Sequence, residues 1–149
     1  MIRLKRTNAS DADFQDLVKE LDIDLSIRDG DEHLFYSQFS KIDMIKYVVI
    51  AYDENKPVGC GAIKQYDETT VEIKRMYVTS GKRGKGIASM ILEELERWSR
   101  ELGFEQCILE TGINQPEASR LYEKKSYHII SNYAQYENIA NSICFGKKL

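Results

Sequence analysis

The residues best suited to chemistry lie in one short stretch, Thr79-Ser-Gly-Lys-Arg-Gly-Lys-Gly-Ile-Ala88. Gly84 and Gly86 remove side-chain bulk, so that backbone N–H groups can approach an anion. Lys82, Arg83 and Lys85 add positive charge. The apolar periodicity that begins at Ile87 places a helix N-terminus, with its unpaired amides and positive dipole end, at the same point. A phosphate-bearing ligand is the natural occupant of such a point. A solvated basic turn capping a helix would have the same composition, and short glycine patterns are weak evidence taken alone. Two familiar phosphate loops do not fit. A Walker A motif needs Lys-Ser/Thr after its last glycine, where this chain has Ile87 and Ala88. A dinucleotide fingerprint needs a third small residue where Ser89 stands, and a ribose-binding acid after the next strand.

The elements that must position this loop can be read from its flanks. Thr69–Val78 precedes it as a strand. Val71 and Ile73 share one parity, whereas Met76 and Val78 share the other, a switch that predicts a bulge near Lys74–Arg75. A bulge would splay this strand from a parallel neighbour and free N–H and C=O groups for an extended, amide-bearing ligand such as the pantetheine arm of coenzyme A. After the loop, Ile87, Met90, Ile91, Leu95, Trp98 and Leu102 form one helical stripe that Gly103 can end. Glu105–Thr111 reads as a strand parallel to 69–78, since a helix separates them. Pro116 starts a shorter helix through Lys125.

The remainder follows from periodicity. Residues 2–6 alternate as a strand, and Ser10 or Asp11 can cap a helix carrying Phe14, Leu17, Val18 and Leu21. Asp22 to Glu32 reads as irregular and acidic, with a short helix around His33 to Lys41. Lys46–Tyr52 and Pro57–Ile63 form a hairpin, and the strand 69–78 completes a meander. Gly59 and Gly61 leave one face bare, predicting close approach by another element or a ligand. Tyr127–Ser131 and Ser142–Lys148 are the last strands, joined by a tyrosine-rich loop.

The bulk properties bound the function. The 149 residues suit one domain, residues 1–149, with a single core. A net charge of −3 gives no basic footprint for nucleic acid. The N-terminus lacks the apolar run of a signal peptide, and no stretch approaches transmembrane length, so no membrane partner is expected. Cys60, Cys107 and Cys144 lie among apolar strand residues and read as free, buried thiols of a cytoplasmic protein. No metal is expected, since His33 and His128 lack ligand spacing to the cysteines.

Taken together, these residues resemble the GCN5-related N-acetyltransferase (GNAT) superfamily. Arg83-x-x-Gly86-x-Ala88 is similar to its acetyl-CoA motif Q/R-x-x-G-x-G/A. Leu109-Glu-Thr-Gly-Ile-Asn-Gln-Pro-Glu-Ala-Ser-Arg-Leu-Tyr122-Glu-Lys resembles its second coenzyme motif, and the Thr-Gly-x-x-Gln-Pro-Glu-Ala segment resembles that of a bacterial subset. The resemblance runs from about residue 2 to the end. It implies an α/β (α+β) fold: a mixed, mostly antiparallel, twisted sheet with a central, splayed parallel pair and helices on both faces. It also implies acetyl-CoA as donor and direct transfer of its acetyl group to a primary amine of a small molecule, amino acid or peptide. The implied coenzyme contacts are Met76, Tyr77, Val78, Lys82, Arg83, Gly84, Lys85, Gly86, Ile87, Ala88, Ala118 and Tyr122, with Asn114 or Gln115 touching pantetheine. Tyr122 matches the family's thiolate-protonating tyrosine. Glu72 is a candidate acceptor of the amine proton, and Glu110 is a second candidate. A backbone N–H near Met76 could stabilise the oxyanion. Ser126 stands where relatives carry glycine, which predicts a positive φ. The acceptor should lie near 22–40 and 132–141, where Tyr36, Tyr133 and Tyr136 could form aromatic walls. A non-catalytic acyl-CoA-binding module would share the fold, and the strand edges could support a homodimer.

Overall fold

A computed structural model describes residues 1–29 and 45–149. The expected helix at His33–Lys41, and Tyr36 with it, lie outside the described residues. Seven strands form one sheet in the order β1-β2-β3-β4-β5-β7-β6. They are β1 (Ile2–Thr7), β2 (Tyr47–Asp53), β3 (Lys56–Gln65), β4 (Thr70–Val78), β5 (Gln106–Gly112), β6 (His128–Ile130) and β7 (Ser142–Lys148). Every neighbouring pair is antiparallel except β4 and β5. The β2–β3 turn places Glu54 and Asn55 at φ 51° and 69°. Two successive left-handed residues twist with the strands they join, the usual solution for a tight hairpin.

The helices α1 (Ala12–Asp29), α2 (Ile87–Glu101) and α3 (Pro116–Lys124) cover both faces. Phe14, Leu17 and Val18 of α1 bury against Val48, Ile50, Cys60 and Ala62 on one face. Ile87, Ile91, Leu92 and Leu95 of α2, with Tyr122 of α3, pack against Val49, Ala51, Ile63, Ile73 and Phe145 on the other. Asp11 caps α1: its Oδ1 accepts the Asp13 N–H at 2.9 Å. Gly103, at φ 92°, ends α2 while the Phe104 N–H reaches back to the Ser99 carbonyl at 3.0 Å. Ser126 has φ 72° as expected. Cys60, Cys107 and Cys144 are buried and free. Among the described residues, no helix is long and apolar enough to cross a membrane.

The stretch from Asp22 is where the structure corrects the sequence reading. It is not irregular; α1 continues through it to Asp29. Ile23 and Ile27 are exposed, so an apolar stripe does not hold this half. Polar contacts across the sheet hold it instead. Tyr77 Oη donates to Glu20 at 3.1 Å, Arg75 Nη1 donates to Asp22 at 3.1 Å, and Arg83 Nη2 lies 3.5 Å from Asp24. Arg28 pairs with Asp24 at 3.3 Å and with Glu117 of α3. The acids that look like a solvated loop in the sequence are the helix's anchors to cationic neighbours.

Candidate active site

The site begins as a defect in the sheet. β4 pairs with β5 only at Thr70–Gln106, Val71–Cys107 and Glu72–Ile108. Beyond these, β4 runs to Val78 and β5 to Gly112 without pairing to each other. The cause is the expected bulge. Cys60 opposes Tyr77 and Ala62 opposes Lys74, which leaves Gly61 opposite both Arg75 and Met76. Arg75 takes φ 59° to accommodate the extra residue. The parted strands open a cleft of about 580 Å³ roofed by α1 and floored by α3 and the start of α2.

Gly59 and Gly61 set the other side of this geometry. A Cβ on Gly61 would lie 2.5 Å from Met76 Sδ, 2.8 Å from Ile91 Cγ2 and 2.9 Å from Leu95 Cδ1. The bare face expected of β3 is therefore filled by α2, whose N-terminus is thereby drawn to the mouth of the cleft. Gly86 caps that helix in the left-handed region, φ 80°, and Gly84 has φ 78°. A Cβ on either would meet nothing within 4 Å. Open space thus faces the backbone here, and the first amides of α2 have no partner within the helix. The donor set and the cradle fit a pyrophosphate.

The cations of the loop are not simply aimed at that cradle. Lys82 Nζ lies 3.0 Å from Asp53 Oδ2 and holds the Asp53 carboxyl below the usual range. Arg83 Nε donates to the Val78 carbonyl at 2.8 Å, and its guanidinium lies 5.6 Å from the centroid of the Tyr77 ring. Both side chains brace the loop, and the amides of the glycine cradle remain as further donors for an anion. Of the expected coenzyme contacts, Met76, Tyr77, Val78, Lys82, Arg83, Gly84, Gly86, Ile87, Ala88, Gln115, Ala118 and Tyr122 line the cleft. Lys85 and Asn114 do not. Asn114 Nδ2 instead donates to the Arg28 carbonyl at 3.3 Å, leaving Gln115 as the amide that faces the cleft.

Tyr122 is 6% exposed, its ring wedged 5.8 Å from Tyr127 and 5.9 Å from Phe145. Its hydroxyl makes no hydrogen bond to any described residue, although buried tyrosine hydroxyls usually find one. Burial, then the Glu110 carboxylate, pushes its pKa upward and keeps the phenol protonated. Glu72 is buried at the last position of β4 that pairs with β5. Tyr133 Oη donates to its Oε2 at 2.7 Å, and Lys74 Nζ lies 3.7 Å from Oε1. Burial, then Glu72, raises the Tyr133 pKa, whereas burial lowers that of Lys74 against the pull of Glu72. Tyr133 is fixed in turn by edge-on contacts with Tyr66 at 5.4 Å and Tyr136 at 5.7 Å. Glu110 and Tyr136 line the same cleft.

Sequence reasoning missed the side-chain roles of Arg75 and Lys74 and the ion pairing of the acids of α1. The parity switch located the bulge, but nothing in the pattern says that both cations at a bulge turn inward. The Tyr133–Glu72 bond joins residues 61 positions apart and has no local signal.

The profile of the acetyltransferase (GNAT) family matches residues 14–127. An IAA acetyltransferase from Azospirillum brasilense is 34% identical over 128 residues, covering 81% of this chain and 83% of that protein. A Klebsiella pneumoniae protein assigned as an acyl-CoA N-acyltransferase superposes with a TM-score of 0.84 at 27% identity, over 100% of this chain and 98% of that one. A GNAT family acetyltransferase from Elizabethkingia anophelis with acetyl-CoA bound shares the architecture at a TM-score of 0.72 and 18% identity, over 99% of this chain and 98% of that one. A splayed parallel pair, a glycine cradle at a helix N-terminus and a profile match across most of the chain converge on one conclusion: this protein belongs to the GNAT family of acetyltransferases and is an acyltransferase enzyme.

Proposed function

We propose that the cleft binds acetyl-CoA along β4 and that the protein transfers the acetyl group directly to a primary amine. The acceptor is a small molecule, an amino acid or a peptide, entering from the α1 side. The amides of Gly84 to Ala88 would hold the pyrophosphate, and the unpaired edge of β4 at Met76–Val78, with Gln115, would hold the pantetheine. Bound acetyl-CoA supplies a thioester carbonyl open to attack by a neutral amine.

The residues then divide the work of one substitution, in which a C–N bond forms and a C–S bond breaks. The Met76 N–H hydrogen-bonds the carbonyl oxygen as negative charge develops on it. Glu72, held in one orientation by Tyr133, accepts the proton that the amine loses, directly or through water. Tyr122 gives its proton to the departing sulfur. Glu110 is the second carboxylate within reach of the amine side.

The observation that carries this reading is the Tyr122 hydroxyl. Tyr122 lines the same cleft as the glycine cradle, burial of its ring keeps the phenol protonated, and its hydroxyl has no hydrogen-bond partner among the described residues. Thiol release from acetyl-CoA across a panel of amines tests it. Tyr122→Phe should lower kcat by ~10²–10⁴-fold, the contribution of a positioned acid, and weaken the calorimetric affinity for coenzyme A far less. An unchanged kcat removes Tyr122 from the chemistry. Glu72→Gln should flatten the acidic limb of the pH–rate profile. Persistence of that limb assigns the proton to Glu110 or solvent.

A further inference from the structure

The side chain of Arg75 is 7% exposed and lines the cleft, yet only part of its guanidinium is satisfied. Nη1 donates to Asp22 Oδ1 at 3.1 Å. Nε is fully buried and has no hydrogen-bond partner among the described residues. A buried, unpaired donor on a cation costs about 1–3 kcal/mol and more for a charged group, so such an atom calls for an explanation. Arg75 also occupies the left-handed region, φ 59°, which no β-region residue needs. Backbone strain and an orphaned donor at one residue, inside a cleft, together point to a ligand.

Resting on the acetyltransferase reading above, we infer that Arg75 binds the carboxylate of the acceptor and that the acceptor is a free α-amino acid. A guanidinium offers a carboxylate paired donors in a fixed fork, and Nε is one tine of that fork. The next residue is Met76, whose N–H marks where the acetyl carbonyl would lie. Arg75 and Met76 are neighbours in β4, so a carboxylate held at Arg75 and an amine attacking beside Met76 fit within one small acceptor. A free α-amino acid carries both groups, whereas a simple amine or an internal lysine has no carboxylate to offer. The amine end then faces Glu72, which is buried two positions before Lys74 and held by Tyr133. The local charges agree with a zwitterion. The two bulge cations, Lys74 and Arg75, face Glu72 and Asp22, and Asp22 is the more exposed of those carboxylates at 45%.

The test compares matched acceptors in the thiol-release assay: phenylalanine, its primary amide and phenethylamine, with the same trio built on leucine and alanine, each rate referred to neutral amine. The free acid should exceed the amide and the decarboxylated amine by roughly 10- to 100-fold in kcat/KM, the worth of a charge-assisted hydrogen bond. In Arg75→Gln that gap should close through a rise in KM for the acid alone, with the calorimetric affinity for coenzyme A unchanged. Arg75→Lys should retain part of the gap, since it keeps the charge and loses the fork. Equal rates for acid, amide and amine in the wild-type protein overturn the inference while the acetyltransferase reading stands, and this comparison needs no variant to fold. A gap that survives in Arg75→Gln also overturns it. No transfer to any amine refutes the acetyltransferase reading and the inference with it.

Discussion

Gly61→Ala asks how tightly the sheet, the helix and the cleft are joined. The added Cβ would sit 2.5 Å from Met76 Sδ, 2.8 Å from Ile91 Cγ2 and 2.9 Å from Leu95 Cδ1. Apolar atoms rest at ~3.5–4.0 Å, so each neighbour must retreat by roughly 0.6–1 Å. They cannot do so independently. Ile91 and Leu95 are fully buried on α2, and Met76 is fixed in the bulge. Overpacking of this kind costs about 1–3 kcal/mol. In a chain of this size each kcal/mol lowers Tm by about 2–4 °C, so the melting temperature should fall by roughly 2–12 °C. Because the same retreat moves the Met76 backbone and the N-terminus of α2, coenzyme A should also bind several-fold more weakly in calorimetric titration. Gly81→Ala is the control: its Cβ would meet nothing within 4 Å and should change neither quantity. A Gly61→Ala protein melting within about 1 °C of wild type, or an equal loss in both variants, would refute the packing argument.

Two further predictions concern stability. Glu96 is buried on α2 and accepts from Tyr127 Oη at 2.8 Å and Lys147 Nζ at 3.0 Å, tying α2 to the segment after α3 and to β7. Glu96→Ala strands both partners. It should cost about 2–4 kcal/mol in urea unfolding, somewhat below the ~3–5 kcal/mol of a fully buried pair because the Lys147 side chain is 21% exposed. A loss under about 1 kcal/mol would mean that water replaces the carboxylate. Ser126 is exposed and holds φ 72°, a region that costs an L-residue about 1–2 kcal/mol, so Ser126→Gly should raise the unfolding free energy by about 0.5–1 kcal/mol after the entropy of glycine is offset. A lowered midpoint would show that the Ser126 side chain contributes something its exposure does not reveal.

What could be read in advance follows from which interactions are local. The helix stripe from Ile87, the strand alternations and the parity switch at Lys74–Arg75 are patterns within one segment, and each reappears in the structure at nearly the same boundaries. Gly59 and Gly61 announced a close approach, though not that α2 would supply it. The second half of α1 was illegible because acids carry no period of their own. Its acids pair with Arg75, Arg83 and Tyr77, partners more than fifty positions away in the sequence. Lys82 and Arg83 illustrate the same limit. Their charge was evident, but their engagement with Asp53 and the Val78 carbonyl is a tertiary fact.

One inserted residue in β4 accounts for most of what distinguishes the site. Without it, β4 would continue pairing with β5 beyond Glu72, and the cleft would be closed by sheet hydrogen bonds. With it, the register against β3 slips at Gly61, and the missing Cβ there gives Met76 room on the α2 side while Lys74 and Arg75 turn toward α1. A straight strand alternates its side chains and would send Lys74 and Arg75 to opposite faces. The bulge suspends that alternation for one step and sets two cations on the α1 side of the sheet with a single left-handed residue. Glycine would accept that conformation with less strain but would leave no guanidinium in the cleft. The strain at Arg75 is therefore best explained by its side chain, and an acceptor carboxylate is the ligand that would use it.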